Sequence, residues 1–278
     1  MISLVISTFG RRFELTRLLR SLASQTNPDF EVIIVDQNPP GFLDSVLERK
    51  PPSLDVRVFR SGRGVSRGRN LGLRHARGSL VGFPDDDCWY GQDVCRQVAK
   101  FFSSHPDVDF LTGRTIGPDG RTLTGEFRTE SGLVRDDDAF RVGNANTFFV
   151  RRQAALLVGG FAEELGPGVQ DAPQAGEDVD FLVRCVRSEV HAEYKRDFTI
   201  FHDRVGEERT RKTVNRTKSY SIAFGHIIRR HFGIGYLSYR LCRSIGGALL
   251  NVVQGDFWNS RIRITWARGM LQGFLMRP

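Results

Sequence analysis

Cysteine is scarce in this sequence, and the little there is lies scattered. Cys88, Cys95, Cys185 and Cys242 form no C-x-x-C pair, which argues against a disulfide framework or a cysteine zinc site and fits a reducing cytoplasm. Long apolar runs are missing too. None approaches the roughly 20 residues that a bilayer-spanning helix needs. The opening Met1-Ile2-Ser3-Leu4-Val5-Ile6-Ser7 lacks the basic region and small-residue cleavage site of a signal peptide. The expectation is therefore a cytoplasmic protein, not threaded through a membrane. No long-period repeat and no low-complexity tract is present, and mixed charge with recurring apolar residues excludes disorder.

Acidic residues are also nearly absent from one region. From position 209 onward thirteen Arg and Lys face a single acid, Asp256, so this tail carries +12 of the net +8 and the remainder −4. A mildly acidic front and a basic tail suggest two tasks, with the tail meeting something anionic. The 278 residues are 40% hydrophobic and 10% aromatic, enough for one large domain plus an appendage or for two modest domains.

The front half alternates strand and helix signals. Ile2 to Ser7, Glu31 to Asp36, Asp55 to Phe59, Leu80 to Phe83 and Val108 to Thr112 read as strands. Between them, Leu15, Leu18, Leu19 and Leu22 give an amphipathic stripe. Ser66 to Ala76 and the Val94, Val98, Phe101, Phe102 set predict two more helices. Such alternation predicts a mostly parallel central sheet flanked by helices, an α/β architecture. Ligands of such sheets bind outside the carboxyl ends of the strands. Those ends here are Thr8, Asp36 and Asp85-Asp86-Asp87. Residues 113–176 are rich in Gly, Asp and Pro, with Asn146 to Val150 a candidate strand and Arg152 to Val158 a short helix. Val179, Leu182, Val183 and Val186 mark a helix buried on most sides. In the tail, Phe224, Ile227 and Ile228, then Leu241, Ile245, Ala248, Leu249 and Val252, predict amphipathic helices.

Four segments could carry chemistry. In Phe83-Pro84-Asp85-Asp86-Asp87-Cys88-Trp89-Tyr90, three carboxylates after a buried strand repel one another and call for a cation. Mg²⁺ or Mn²⁺ suits them, because such ions take one or two protein carboxylates plus phosphate oxygens; the alternative is a solvated acidic turn. Gly62-Arg63-Gly64-Val65-Ser66-Arg67-Gly68-Arg69-Asn70-Leu71-Gly72 is not a G-x-G-x-x-G fingerprint. Its arginines, with Arg60, suit phosphate or carboxylate pairing, or a solvated helix start. Gly176-Glu177-Asp178-Val179-Asp180 puts acids at a positive helix end, which either stabilises the helix or supplies a general base. His202, in Ile200-Phe201-His202-Asp203, is structural unless the chain folds it back onto the acidic loop.

In this order the pieces resemble the family-two glycosyltransferases, inverting enzymes with the GT-A nucleotide-diphospho-sugar transferase fold. The likeness runs from Ile2 to about His202 through Leu4-Val5-Ile6-Ser7-Thr8, Asp36, Arg69-Asn70-Leu71-Gly72, Asp85-Asp86-Asp87, Gly159-Gly160-Phe161 and Gly176-Glu177-Asp178. It implies a catalytic domain over 1–205 and a basic helical tail over 206–278. The implied donor is a nucleotide-diphosphate sugar, a UDP-sugar first. The implied acceptor is a hydroxyl of a saccharide or lipid-linked molecule in polysaccharide synthesis, and the metal is Mn²⁺ or Mg²⁺.

The resemblance also implies roles. Thr8 and Asp36 hold the nucleoside and Arg69 supports its pocket. Asp85 and Asp87 form the Asp-x-Asp element for donor and metal, Asp86 between them also binds the nucleotide-sugar, and His202 is a late metal ligand. Asp178 is the base with Glu177 beside it, while Trp89 and Tyr90 line the sugar or pack in the core. Two departures stand out: Asp36 precedes Gln37-Asn38-Pro39-Pro40 rather than an acid and a Gly-Ser turn, and Pro84 replaces a usual Leu. The rival readings are a sugar-phosphate nucleotidyltransferase and a basic nucleic-acid-binding protein. No nucleic-acid module is recognisable, so no nucleic-acid partner is expected. The tail, with Trp258 and Trp266, could lie on the anionic cytoplasmic face of a membrane as a peripheral contact, or serve as a dimer contact or a solvated cap.

Overall fold

In the computed structural model, residues 1–123, 127–203 and 209–276 are described. The chain divides into two compact units, Met1–Ala162 with Phe181–Arg204, and Glu163–Asp180 with Val205–Pro278. The boundary expected after residue 205 lies outside the described residues. The stretch 163–180, which the sequence put with the front, clusters with the tail.

The first unit is built on a mixed sheet. Its parallel half comprises β1 (Ile2–Thr8), β2 (Phe30–Asp36), β3 (Val56–Arg60) and β4 (Leu80–Gly82). Further strands are β5 (Cys88–Trp89), β6 (Phe110–Ile116), β7 (Gly132–Leu133), β8 (Phe149–Arg151) and β9 (Ala192–His202). The order is β3-β2-β1-β4-β8-β6-β9-β5, with β7 beside β9. β8 runs antiparallel to both β4 and β6, while β6 and β9 are parallel. The alternating signals foretold the parallel half but not the antiparallel direction of β8. The Asn146–Val150 strand also shifts: 145–147 form a 3-10 turn and the strand starts at Phe149. There Thr147 Oγ1 bonds the Asn144 carbonyl and Asn146 Oδ1 accepts from Thr115 Oγ1, local bonding that competes with a ladder.

β1 and β2 are buried along nearly their whole length, as near-continuous apolar strands of parallel sheets are. Helix α1 (Phe13–Ala23) lays Leu15, Leu18, Leu19 and Leu22 into the core; α2 is Asp44–Glu48. Helix α3 (Val65–His75) crosses β1 so closely that a Cβ on Gly72 would overlap the Val5 side chain. Both Arg69 and Asn70 are buried there: Arg69 reaches Asp85 beyond the end of β4, and Asn70 exchanges hydrogen bonds with the Phe161 backbone. Helix α4 (Val94–Ser104) adds Val94, Cys95, Val98 and Phe102 to the core; α5 (Ala139–Val142) and α6 (Arg152–Leu157) are short. Most of α7 (Glu177–Arg187) belongs here, and its Arg184 donates to the carbonyls of Val158 and Gly160, each at 2.6 Å.

Glu31, 1% exposed, ties the strand starts together. Its Oε1 accepts from Ser3 Oγ at 2.8 Å and from the Arg77 amide at 2.7 Å, and its Oε2 from Arg57 at 3.1 Å. Burial alone would raise the Glu31 pKa, but these donors outweigh it and hold it below the ordinary glutamate value. The folded value is depressed, so the stabilisation is present above the unfolded pKa and lost as pH falls through the folded one. Glu31→Ala should cost about 2 kcal/mol at neutral pH. In urea titrations the gap to wild type should narrow in acid; an undiminished gap would contradict this reading.

The second unit holds the remaining helices, α8 (Arg211–His231), α9 (Gly233–Val253) and α10 (Phe257–Leu275). Helices α8 and α10 pack most closely: a Cβ on Gly225 would overlap the Met270 carbonyl. Thr210 caps α8 and Asp256 caps α10. Within the described residues the four cysteines are free, and no helix is long and apolar enough to cross a membrane.

Candidate active site

The carboxyl ends of the parallel strands collect the charged groups of the first unit. Thr8 and Asp36 are register partners at the ends of β1 and β2, and Arg60 closes β3 opposite Asp36. The chain leaving β4 turns through Phe83-Pro84 into the acidic loop, where the Cys88 amide donates to the Asp85 carbonyl at 3.1 Å. Strand β5 then pairs antiparallel with the end of β9, matching Cys88 to His202 and Trp89 to Phe201. This pairing folds His202 back onto the loop.

Two of the three carboxylates, Asp86 and Asp87, share Arg11, while Asp85 pairs with Arg69. Asp85 accepts from Arg69 at 2.7 Å. Asp86, 5% exposed, accepts from Thr8 Oγ1 at 2.8 Å and from Arg11 at 2.6 Å. Asp87 contacts Arg11 at 2.7 Å and His202 Nε2 at 3.0 Å. Burial lifts the Asp86 pKa to about 6 despite Arg11 and Thr8. Burial would depress that of His202, but the bond and charge of Asp87 prevail and raise it to about 9. The sequence argument that this loop needs a cation is thus answered partly by the chain itself. Arg11, Arg69 and His202 face the three acids.

Among the described residues no three His, Cys, Asp or Glu side chains converge as a preformed metal cage. Asp87 and His202 do lie side by side, and Asp85 remains about a third exposed. One or two protein ligands completed by phosphate oxygens is the habit of Mg²⁺ and of similar hard ions, so the residues fit such an ion.

Asp36 is 4% exposed. Its Oδ1 accepts from the Asn38 amide at 2.9 Å and from Asn38 Nδ2 at 2.7 Å; its Oδ2 accepts from Arg60 at 3.1 Å. Asn38 Oδ1 in turn accepts from the Gly10 amide. The Gln37-Asn38 departure is therefore a built network linking the ends of β1, β2 and β3. Of the arginines singled out by sequence, Arg60 and Arg69 pair with carboxylates and Arg63 lies over the Phe9 ring at 4.1 Å. The Arg17 guanidinium sits 4.1 Å over the Trp89 ring, which stacks on Phe201 at 5.6 Å. Tyr90, 3% exposed, belongs to the apolar core rather than to a sugar-facing wall. Glu177 and Asp178 belong to the second unit. Glu177 is 7% exposed, and Asp178 Oδ1 accepts from the Val179 amide at 2.8 Å. Just beyond, the fully buried Asp180 is held by His231 Nε2 at 2.9 Å and Arg230 at 3.3 Å, and Arg230 also grips Glu164 at 2.6 Å. Helix α8 thereby fixes the helix start that carries Asp178.

Sequence reasoning missed Arg11, Arg17, Asn38 and Asp203. Arg17 makes a bidentate pair with Asp203 at 2.9 and 2.8 Å and bonds the Asp87 carbonyl at 2.8 Å. A usable signal existed for Arg11, which follows the end of β1 on the edge where the acids were expected.

The model of the family described as glycosyl transferase family 2 matches residues 3–162, more than half of the chain. The chain belongs to glycosyl transferase family 2. An uncharacterized glycosyltransferase of Haemophilus influenzae is 27% identical over 206 residues, covering 70% of this chain and 65% of that protein. Poly(ribitol-phosphate) beta-N-acetylglucosaminyltransferase TarS of Staphylococcus aureus is 29% identical over 124 residues, covering 43% of this chain and 22% of TarS. This family 2 chain thus spans less than two thirds of the length of these curated relatives. Among solved structures, S. aureus TarS 1–349 in complex with UDP-GlcNAc has a TM-score of 0.63 at 16% identity, covering 96% of this chain and 92% of that one. The mannosyltransferase PcManGT from Pyrobaculum calidifontis, in complex with GDP-Man and Mn²⁺, has a TM-score of 0.66 at 14% identity, covering 99% and 87%. These likenesses establish the GT-A type of α/β fold for this family 2 member.

Proposed function

We propose that this protein is an inverting glycosyltransferase that moves a sugar from a nucleotide-diphosphate sugar, a UDP-sugar first, to a hydroxyl of a saccharide or lipid-linked acceptor. The observation that carries the reading is the meeting of Thr8, Asp36 and the Asp85–Asp87 loop at one sheet edge, with Arg11, Arg69 and His202 against the acids. An edge of this kind is where open α/β sheets take nucleotides.

In this reading Asp36 keeps an acceptor position on Oδ2 for a base N–H, and Thr8 and Asp86 lie beside the nucleoside. Arg69, buried against the Phe161 ring at 5.1 Å, holds Asp85 toward the ribose and diphosphate. Trp89, braced by Arg17 and Phe201, forms the wall beneath the sugar. A divalent cation, Mn²⁺ or Mg²⁺, would be held by Asp87 and His202 with Asp85 nearby, and it supplies positive charge to offset the departing diphosphate. Arg11 adds fixed charge on the same side. Asp178, with Glu177 beside it, takes the proton of the acceptor hydroxyl as that oxygen attacks the anomeric carbon. The carbon–oxygen bond to the diphosphate breaks on the opposite face, so a single displacement inverts the centre. TarS, named for N-acetylglucosamine transfer to poly(ribitol phosphate), supports a polymer acceptor and a role in polysaccharide synthesis.

The test is turnover with UDP- and GDP-sugars, with and without Mn²⁺, following nucleoside diphosphate release and reading the product anomer by NMR. Metal-dependent diphosphate release with an inverted anomer is expected. Pyrophosphate from a nucleoside triphosphate and a sugar phosphate would instead assign a nucleotidyltransferase.

A further inference from the structure

The sidedness of α9 is reversed from that of an ordinary surface helix. Its buried residues are Leu237, Ser244 and Ala248. Beside the exposed Ser238, Tyr239, Cys242 and Arg243, it turns outward a run of large apolar side chains: Ile234, Ile245, Leu249 at 64% exposure, Leu250 at 63% and Val253 at 86%. A soluble helix normally buries its large apolar residues and exposes its polar ones. The apolar strip continues past the turn into α10 with Phe257, 70% exposed. Along α10 the exposed residues Phe257, Arg261, Arg268, Leu271 and Leu275 recur at spacings that share one helix face. An apolar patch of this kind marks an interaction surface rather than a solvent face.

We infer that the outer face of α9 and the Phe257 face of α10 dock on an anionic bilayer surface. Charge complementarity selects this occupant. Neither α9 nor α10 contains an acid, and Asp256, the one acid after position 208, is engaged in capping α10. A second copy would bring Arg against Arg with no carboxylate on either helix. Anionic headgroups answer Arg243, Arg261 and Arg268 while the aliphatic side chains enter the acyl boundary, the arrangement of an interfacial helix. The face lies on the membrane rather than through it, since no described helix is long and apolar enough to cross. Of the two tryptophans that the sequence suggested for this contact, Trp266 packs edge-on against Phe224 at 5.4 Å.

The test is co-sedimentation of the full chain with phosphatidylcholine vesicles, and with vesicles that also contain phosphatidylglycerol. It needs no sugar transfer, so its outcome is independent of the proposed reaction. Binding to the anionic vesicles should be about tenfold or more tighter and weaken with salt. Leu249→Ser, Leu250→Ser, Val253→Ser and Phe257→Ser together should lower it about tenfold or more, with helical circular dichroism unchanged because the residues are exposed. If that variant misfolds, Arg261→Gln with Arg268→Gln gives the second reading, a reduced preference for anionic over neutral vesicles. Equal binding by the variants, no binding to anionic vesicles, or a dimer in sedimentation equilibrium that the serine variant dissolves would overturn the inference.

Discussion

Replacing Asp178 with Asn should lower kcat by about 10²–10⁴-fold, the usual contribution of a positioned general base, while leaving donor affinity within a few-fold of wild type. The amide keeps the size of the side chain and its acceptor oxygen for the Val179 amide, so this bond at the helix start should survive while proton acceptance is lost. A general base acts in the transition state, so kcat and kcat/KM should fall together. Glu177→Gln is the companion variant. Glu177 is nearly buried, and its loss should act through local structure, lowering thermal stability more than it separates kcat from KM. If Asp178→Asn turns over normally and Glu177→Gln does not, the base is Glu177.

The second large effect is expected at the acidic loop. Asp87→Ala should weaken Mn²⁺-dependent donor binding by roughly 100-fold, because a divalent ion at a diphosphate is worth several kcal/mol. His202→Ala should give a smaller loss of the same kind. Removing Asp87 also frees Arg11 and His202 from their shared partner, so metal-independent binding of the diphosphate should be unchanged or slightly stronger. Calorimetric titrations with and without Mn²⁺ separate the two effects. A uniform loss in both conditions would mean that Asp87 shapes the loop rather than holding an ion.

The parallel half of the sheet and its chemical edge were legible in the sequence because short β-branched runs end in polar residues at the positions where ligands bind. Thr8, Asp36 and Asp85–Asp87 were readable one segment at a time. What joins them was not, because the joining contacts are long-range. Arg11 meets Asp86 across 75 positions, and no local pattern announces the pair. His202 reaches Asp87 only through the β5–β9 bridge, which rests on a two-residue strand too short to give a period. The direction of β8 was hidden for a similar reason, since three residues, Phe149–Arg151, cannot reveal which way they run. In the tail, periodicity grouped Leu241, Ile245, Ala248, Leu249 and Val252 on one helix face, but Ala248 is buried away from the exposed Ile245, Leu249 and Val252, and spacing does not say whether their face meets protein or solvent. Here it points outward, and the small residues Ser244 and Ala248 face in. The link from Asp180 to Arg230 and His231 had no sequence signal beyond an extra acid near the helix start.

The measurement that bears most directly on the account is a calorimetric titration of the purified chain with UDP- and GDP-sugars and with nucleoside triphosphates, in the presence and absence of Mn²⁺, beside an Asp85→Ala, Asp87→Ala variant. The account predicts Mn²⁺-dependent binding of at least one nucleotide-diphosphate sugar to the wild type, and its loss in the variant. Binding of triphosphates alone, or nucleotide-sugar binding that the variant retains undiminished, would contradict it.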